Sequence, residues 1–553
     1  VKTFSKKQLY LLSLLTGVLL WLGWPAHGFS FLLLIAFCPL LLVEDYYYRE
    51  RANYRAFAFY RHAYIAMLSW NILSTWWVFN ATIVGGVAAI VLNAMFMALV
   101  LVFFHYVRMK TNNLTGYSAL VVLWISFEYF HLNWQCSWPW LTLGNGFANY
   151  ANTVQWYEYT GVLGGSLWIL LANIIFFHLI KRVWIDKADA KSKRNVIIAG
   201  IAMVIIPLIL SIIVGITYDL NHLIIKHGAL KKGARDPNIV NVVVVQPNID
   251  PYNEKFSGNF MEQLNKMLAL ADTKVDSTTD YLVFPETALT DPDIWENNWE
   301  ANGSINVLKN YLARHPHLSL VTGASSNRNY NRGDSIPASA RKYIDGSGYY
   351  DSYNTAIQMN NNYHLQYYHK SKLVPGVETM PFQKLLGPIA DLAFKLGGIS
   401  GTLGTQKEPS VFYNPNNKIN VGTAICYESI YGEYVGEYVQ KGANLIFIIT
   451  NDGWWQDTPG YRQHLTYARL RAIETRRCIA RAANTGISAF IDAQGNILQR
   501  TEWWQPAVIK ESLNVYEGLT FYVKYGDYIG RAACWLCIPL VLFLGLSIVR
   551  KRQ

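Results

Sequence analysis

The chain has 553 residues, more than one hydrophobic core serves well, so two or more folding units are expected. It is 52 % hydrophobic and 15 % charged, against roughly 25 % charged in soluble domains, which excludes an ordinary soluble protein. The net charge of +11 sits largely in short connections between apolar stretches; no basic folded face or motif marks a nucleic-acid binder, and anionic lipid headgroups are the expected partner.

Apolar stretches occur near 9–25, 29–46, 61–80, 84–107, 115–132, 159–180, 195–217 and 528–549. Each approaches the roughly 17–25 residues needed to cross about 30 Å of hydrocarbon, which predicts about eight membrane spans. The first has a basic start (Lys2, Lys6, Lys7), but Trp21, Trp24 and Pro25 stand where a cleavage site would lie, so an uncleaved anchor is expected. Every second connection is basic: Arg49, Arg51 and Arg55; then Arg108 and Lys110; then Lys181, Arg182, Lys187, Lys191, Lys193 and Arg194. Arg550, Lys551 and Arg552 belong to the same side, while the stretch 133–158 has neither Lys nor Arg. The positive-inside rule then predicts both termini in the cytoplasm and the long insert before the last span outside it. The expected division is a transmembrane domain over 1–220, an extracytoplasmic domain over 221–525 and a final helix over 526–553.

Within the insert, Asn241–Gln246 is a β-branched run typical of a strand buried on both faces. A polar amphipathic stretch follows at 257–272, then a strand at 281–286 ending in a turn. Further strands are predicted at 318–324, 354–359, 419–425, 444–450 and 487–492, with a helix over 461–481. The alternation argues for an α/β or α-β-β-α layered fold. Residues 325–350, rich in Asn, Arg, Gly and Ser, read as a mobile surface excursion.

The six cysteines form no disulfide framework; Cys38, Cys534 and Cys537 lie in apolar spans as small hydrophobes. Glu286 and Cys426 each follow a predicted strand, and Lys370 follows the aromatic run Tyr367-Tyr-His369. A carboxylate, an ammonium and a thiol on strand-end loops are the parts of a covalent site: base, oxyanion partner and nucleophile. By spacing alone, Cys426 reads equally as a core thiol, Lys370 as a solvated lysine and Glu286 as a surface acid.

The segments Phe284-Pro-Glu-Thr287, Tyr368-His-Lys-Ser-Lys-Leu-Val-Pro375, Ala424-Ile-Cys-Tyr-Glu428 and Thr450-Asn-Asp-Gly-Trp-Trp455 resemble, in order and spacing, those of the nitrilase superfamily. With the apolar frame, Trp138-Pro-Trp-Leu141 with Gly144, Gln155 and Gly161, and Gln463–Glu474 with Arg481–Gly486, the chain resembles the apolipoprotein N-acyltransferase family almost throughout. One departure stands at Leu373-Val-Pro-Gly-Val-Glu378, where that family usually reads Leu-Val-Pro-Phe-Gly-Glu.

The resemblance implies a nitrilase-like sandwich with Glu286 as general base, Cys426 as nucleophile and Lys370 stabilising the oxyanion and favouring the thiolate. Glu378, Tyr427 and Glu428 would support them, a structural hydrogen bond serving Glu428 equally well. It also implies transfer of an acyl chain from a phospholipid such as phosphatidylethanolamine, through a Cys426 thioester, to the α-amine of a diacylated apolipoprotein. The setting would be a bacterial inner membrane, with the catalytic domain periplasmic and the enzyme monomeric. Trp138, Trp140, Trp454 and Trp455 are candidates for lining substrate access, or for an interfacial belt. No cofactor, metal or nucleotide is expected: the twelve histidines show no ligand spacing with Cys or Asp, and no phosphate-binding glycine loop occurs. Two other classes fit less well: a membrane-tethered hydrolase using the same three residues, and a non-enzymatic binding protein.

Overall fold

A computed structural model describes residues 4–186, 189–227, 238–362, 365–382 and 402–549. Lys2, Lys187, Arg550, Lys551 and Arg552, used above to orient the chain, lie outside them. The chain divides into two compact units, one built from Val1–Trp76, Gly86–Leu220 and Tyr525–Gln553, the other from Trp77–Gly85 and Asn221–Lys524.

The first unit is helical: Lys6–Leu22, Cys38–Arg49, Tyr60–Thr75, Ile83–Lys110, Asn113–Leu132, Tyr157–Ile180, Ala190–His227 and Tyr528–Val549. Among the described residues, four helical segments are long and apolar enough to cross a membrane, namely Ser30–Arg49, Ile83–Lys110, Tyr157–Ile185 and Ala190–Leu220. The others are shorter or less apolar; Lys6–Leu22 has 17 residues and Tyr60–Thr75 has 16. The Ser30–Arg49 segment is broken between two helical pieces, and the buried Asn173 satisfies the break. Its amide donates to Leu33 O at 2.7 Å and accepts from Phe37 N at 2.7 Å, removing the cost of two orphaned backbone groups. One end of the bundle is tied by buried charges. Asp45 accepts from Arg108 and Lys181 at 2.8 Å each, while Glu44 faces His105 at 2.6 Å and Arg108.

The second unit stacks two sheets. Its strands are β1 (Ile239–Gln246), β2 (Tyr281–Val283), β3 (Ser319–Tyr330), β4 (Arg341–Lys342), β5 (Tyr349–Asn360), β6 (Gln366–His369), β7 (Val411–Asn414), β8 (Ile419–Ile425), β9 (Leu445–Thr450), β10 (Ile479–Ala483), β11 (Ala489–Ile491), β12 (Ile497–Arg500) and β13 (Ala507–Asn514). One sheet runs β13-β1-β2-β3-β5-β4 with β6 on β5; the other runs β12-β11-β10-β9-β8-β7. Each has a parallel centre, β1-β2-β3 and β8-β9-β10, flanked by antiparallel strands.

The β1 valines show why the centre is apolar on both sides. Val243 and Val245 pack into a core with helices Phe260–Asp272 and Gly303–Arg314. Val242 and Val244, equally buried, point the other way by the strand's period of two. There Tyr281 meets Phe447 of the other sheet at 5.3 Å and donates to Ile419 O. Burying each such valine stabilises the unit by about 1.5–3 kcal/mol.

Two predicted elements are corrected. The helix expected over 461–481 is Pro459–Thr475. Arg476 takes a left-handed conformation at its C-cap, and 479–483 becomes β10, parallel to β9 and fully buried. The excursion expected over 325–350 is strand only at its two ends, where β3 and β5 stay paired out to Tyr330 and Tyr349, and at the short β4; most of 331–348 is irregular and exposed.

Candidate active site

The candidate residues all stand where a strand of the second unit ends. Glu286 lies three residues past β2, Lys370 directly after β6, and Cys426 directly after β8. The turn carrying Glu286 continues along β3, with Phe284 N donating to Val321 O and Gly323 N to Pro285 O. Gly323 permits this approach: a Cβ there would fall 2.4 Å from Thr287 N and 2.7 Å from Glu286 Cα.

Lys370 Nζ donates to Glu286 Oε1 at 3.1 Å and to Glu378 Oε1 at 2.8 Å. Asn354 Nδ2 donates to the same two oxygens, at 2.7 and 3.3 Å. The altered Pro375-Gly-Val377 segment still delivers Glu378. Gly376 has φ +77°, and the turn closes through Glu378 N to Val374 O at 2.9 Å and Gly376 N to Thr379 O at 2.8 Å. Glu378 Oε2 then accepts from Val374 N at 2.8 Å. The departure from the family pattern is thus a tight turn that needs glycine at its left-handed position.

Cys426 has φ +52°, a costly conformation for a residue with a Cβ, at the junction of β8 and a 3₁₀ turn, Cys426–Ile430. Ser429 Oγ donates to the Cys426 carbonyl at 2.7 Å and His464 Nε2 lies 3.1 Å from it. Glu428 joins this turn to the lysine loop, accepting from Ile425 N at 2.8 Å and from Ser371 N at 2.6 Å, with Tyr368 also donating to it. Structural hydrogen bonding is therefore the role its geometry supports. Tyr427 is buried, its ring 5.3 Å from Tyr431.

Electrostatics decide the resting state. Burial would raise Glu286, but Lys370, Asn354 and Lys255 together outweigh it, and the carboxyl is held below its ordinary range. Lys370 is buried too, yet Glu286 and Glu378 raise it well above the usual lysine value. Cys426 keeps part of its surface open. Burial and the Glu286 charge nonetheless push the thiol up, and Lys370 only partly offsets them. Lys370 acts in the expected direction, favouring the thiolate, but burial above all and the Glu286 charge outweigh it and favour the thiol. An ionised base beside a protonated nucleophile suits proton transfer coupled to attack.

Nothing in the sequence marks Lys255 as part of the site. It is 3 % exposed and donates to the Glu286 backbone carbonyl at 2.8 Å, although it stands in a polar segment with the composition of an exposed turn. Folding also brings ligand-type atoms of Cys426, Asp452 and His464 within 4.8 Å of one another. Those of Asp452 and His464 are already engaged: Asp452 faces His464 Nδ1 at 2.9 Å and Arg481 at 2.5 Å, and His464 Nε2 faces Ser429 and Cys426 O. The cluster is a hydrogen-bonded support for the cysteine turn.

Trp454 stands beside the site with Tyr252, 5.3 Å from its ring, and Phe256 stacked at 6.4 Å. Trp455 packs 4.9 Å from Trp77 and 5.6 Å from His464, and Trp77–Gly85, which overlaps the ends of the apolar stretches predicted at 61–80 and 84–107, belongs with this unit. Trp138 and Trp140 belong to the helical unit, Trp140 buried within it.

Residues 241–516 match the carbon-nitrogen hydrolase family, so the second unit is a nitrilase-like domain. Residues 16–175 match the apolipoprotein N-acyltransferase N-terminal domain. An apolipoprotein N-acyltransferase of Chlorobaculum tepidum is 29 % identical over 98 % of this chain and 97 % of its own. One of Geobacter metallireducens is 27 % identical over 98 % and 96 %. The chain belongs to the apolipoprotein N-acyltransferase family.

Proposed function

We propose that this protein is an N-acyltransferase that moves an acyl chain from a phospholipid to the α-amine of a diacylglyceryl-cysteine, through a thioester on Cys426. The observation that carries the reading is Glu286 and Lys370 in contact, with the half-open Cys426 beside them, in a chain whose two halves both match the family. Glu286 takes the thiol proton as Sγ attacks the ester carbonyl. The C–O bond breaks, the proton passes to the departing lysophospholipid hydroxyl, and an acyl-enzyme remains. Lys370 faces the developing oxyanion, and Glu378 holds Lys370. The acceptor amine then attacks the thioester, Glu286 takes its proton, and the C–S bond breaks to return the thiol.

The membrane arrangement belongs to the same proposal. The spacing of the basic connections supports eight spans, with the nitrilase-like domain on the periplasmic side of a bacterial inner membrane and both termini cytoplasmic. In the nitrilase-like unit Trp454 and Trp455 line the access of the lipid substrates, and the enzyme works as a monomer.

The test adds a phospholipid with a labelled acyl chain to purified protein in detergent, then a diacylated lipopeptide. Wild type is expected to take a hydroxylamine-sensitive label that moves to the peptide amine, and Cys426→Ala to take none. Label leaving as free fatty acid in the presence of the peptide would make the protein a hydrolase.

A further inference from the structure

Lys255 has no part in the scheme above, yet it is buried against the general base. Besides the Glu286 carbonyl, its Nζ meets the Asn451 amide oxygen at 3.1 Å, in the orientation in which that oxygen also accepts from Trp454 Nε1 at 3.2 Å. Among the described residues no carboxylate oxygen bonds it; its partners are amide oxygens. An ammonium is costly to bury without a paired anion, so packing alone is a poor reason for a lysine here. The charges of the site supply a better one. Glu286 and Glu378 share the single ammonium of Lys370, which leaves one negative charge in excess. When the proton moves from Cys426 to Glu286, that excess passes to the sulfur and then to the oxyanion.

We propose that Lys255 is a positioning residue for acylation: it fixes the Glu286 turn through the backbone carbonyl and supplies the positive charge that balances the second carboxylate. This rests on the acyl-transfer reading of the same site. The groups whose charges act on Lys255 are Glu286 and Cys426. Lys370 and Glu378 lie beyond Glu286, Asn451 and Trp454 present neutral groups, and on its own turn Asp250 is engaged with the backbone of Tyr252 while Glu254 is exposed. Burial lowers Lys255 to about 8, against the pull of Glu286 and Cys426. Its charge is therefore lost just above neutrality, which gives the inference a signature.

The experiment follows only the first half-reaction, with a labelled phosphatidylglycerol, whose headgroup does not titrate in this range. Acyl-enzyme formation is measured from pH 6 to 10 for wild type, Lys255→Arg and Lys255→Met, with Cys426→Ala as blank and thermal inactivation as the check on folding. Wild type is expected to lose rate above a midpoint near pH 8. Lys255→Arg, permanently charged, is expected to keep a measurable rate and to move that fall up by at least about one pH unit. Lys255→Met is expected to be slowed at least about 30-fold at pH 7, with thermal inactivation within a few degrees of wild type. A Met variant within about threefold of wild type, or an Arg variant with an unmoved alkaline fall, overturns the inference while leaving the acyl-transfer reading intact. Should Lys255→Met fail to fold, the Arg profile decides. Wild type that takes no label at any pH brings down both readings.

Discussion

In the proposed mechanism Glu286 serves as base only while ionised, and its neighbours extend the range in which it is. Burial alone would raise its carboxyl, but Lys370, Asn354 and Lys255 together reverse that. The acid limb of acylation is therefore expected below the ordinary glutamate range, and a pH–rate profile of label uptake checks it. The sign for stability is the same. A carboxyl lower in the folded than in the unfolded chain contributes stability above its unfolded value, and that contribution is lost as pH falls through the folded one. Glu286→Gln keeps the shape and removes the base; label uptake is expected to fall roughly 10²–10⁴-fold, with a lower inactivation temperature from the lost pair with Lys370. Motif order made Glu286, Lys370 and Cys426 legible before folding. Lys255 was not legible, because Asn253-Glu-Lys-Phe256 has the composition of an exposed turn and its burial depends on where the Glu286 loop passes.

At the scale of elements, the site depends on short turns that hold strained or charged residues in place. Gly376 at φ +77° closes the turn that aims Glu378. Gly376→Val is expected to cost about 1–2 kcal/mol of backbone strain and to slow acylation, read from thermal inactivation and label uptake together. Behind Cys426, the fully buried Asp452 pairs with Arg481 and His464. Burial opposes its ionisation, but these partners hold the carboxyl well below the usual range, so its contribution persists until strongly acid pH. Asp452→Asn leaves Arg481 buried without its counter-charge and is expected to destabilise by roughly 3–5 kcal/mol, seen as a lower inactivation temperature at neutral pH that shrinks towards acid. The strands at 419–425 and 444–450 were readable from β-branched runs. The end of the helix predicted over 461–481 was not, since Arg477–Ala483 is compatible with helix until the chain turns at Arg476 and pairs with β9.

For the whole molecule, the proposed topology makes a test independent of activity. In a Cys426→Ala background, a cysteine at Ser335, on the exposed 331–340 connection, is expected to react with a membrane-impermeant maleimide in intact spheroplasts. One at Asn53, in the first basic connection, is expected to react only after lysis; the opposite pattern would reverse the orientation. The buried Asp45–Arg108–Lys181 cluster joins three helices of the bundle. Arg108→Met removes one cationic partner from each of Glu44 and Asp45 and is expected to lower the inactivation temperature.

Sequence alone determined the alternation of apolar and basic segments, the α/β insert and the order of the three reactive residues. These are written locally, in hydropathy, β-branched runs and short motifs. Tertiary structure decided what depends on residues far apart in the chain. Burial and the nearby Glu286 charge, only partly offset by Lys370, favour the thiol of Cys426. Trp77–Gly85 packs with the nitrilase-like unit through Trp455. And Lys255, 31 residues before Glu286, becomes part of the site. The physical reason is that burial and charge pairing act through distances in space, which a chain acquires only when its sheets have stacked.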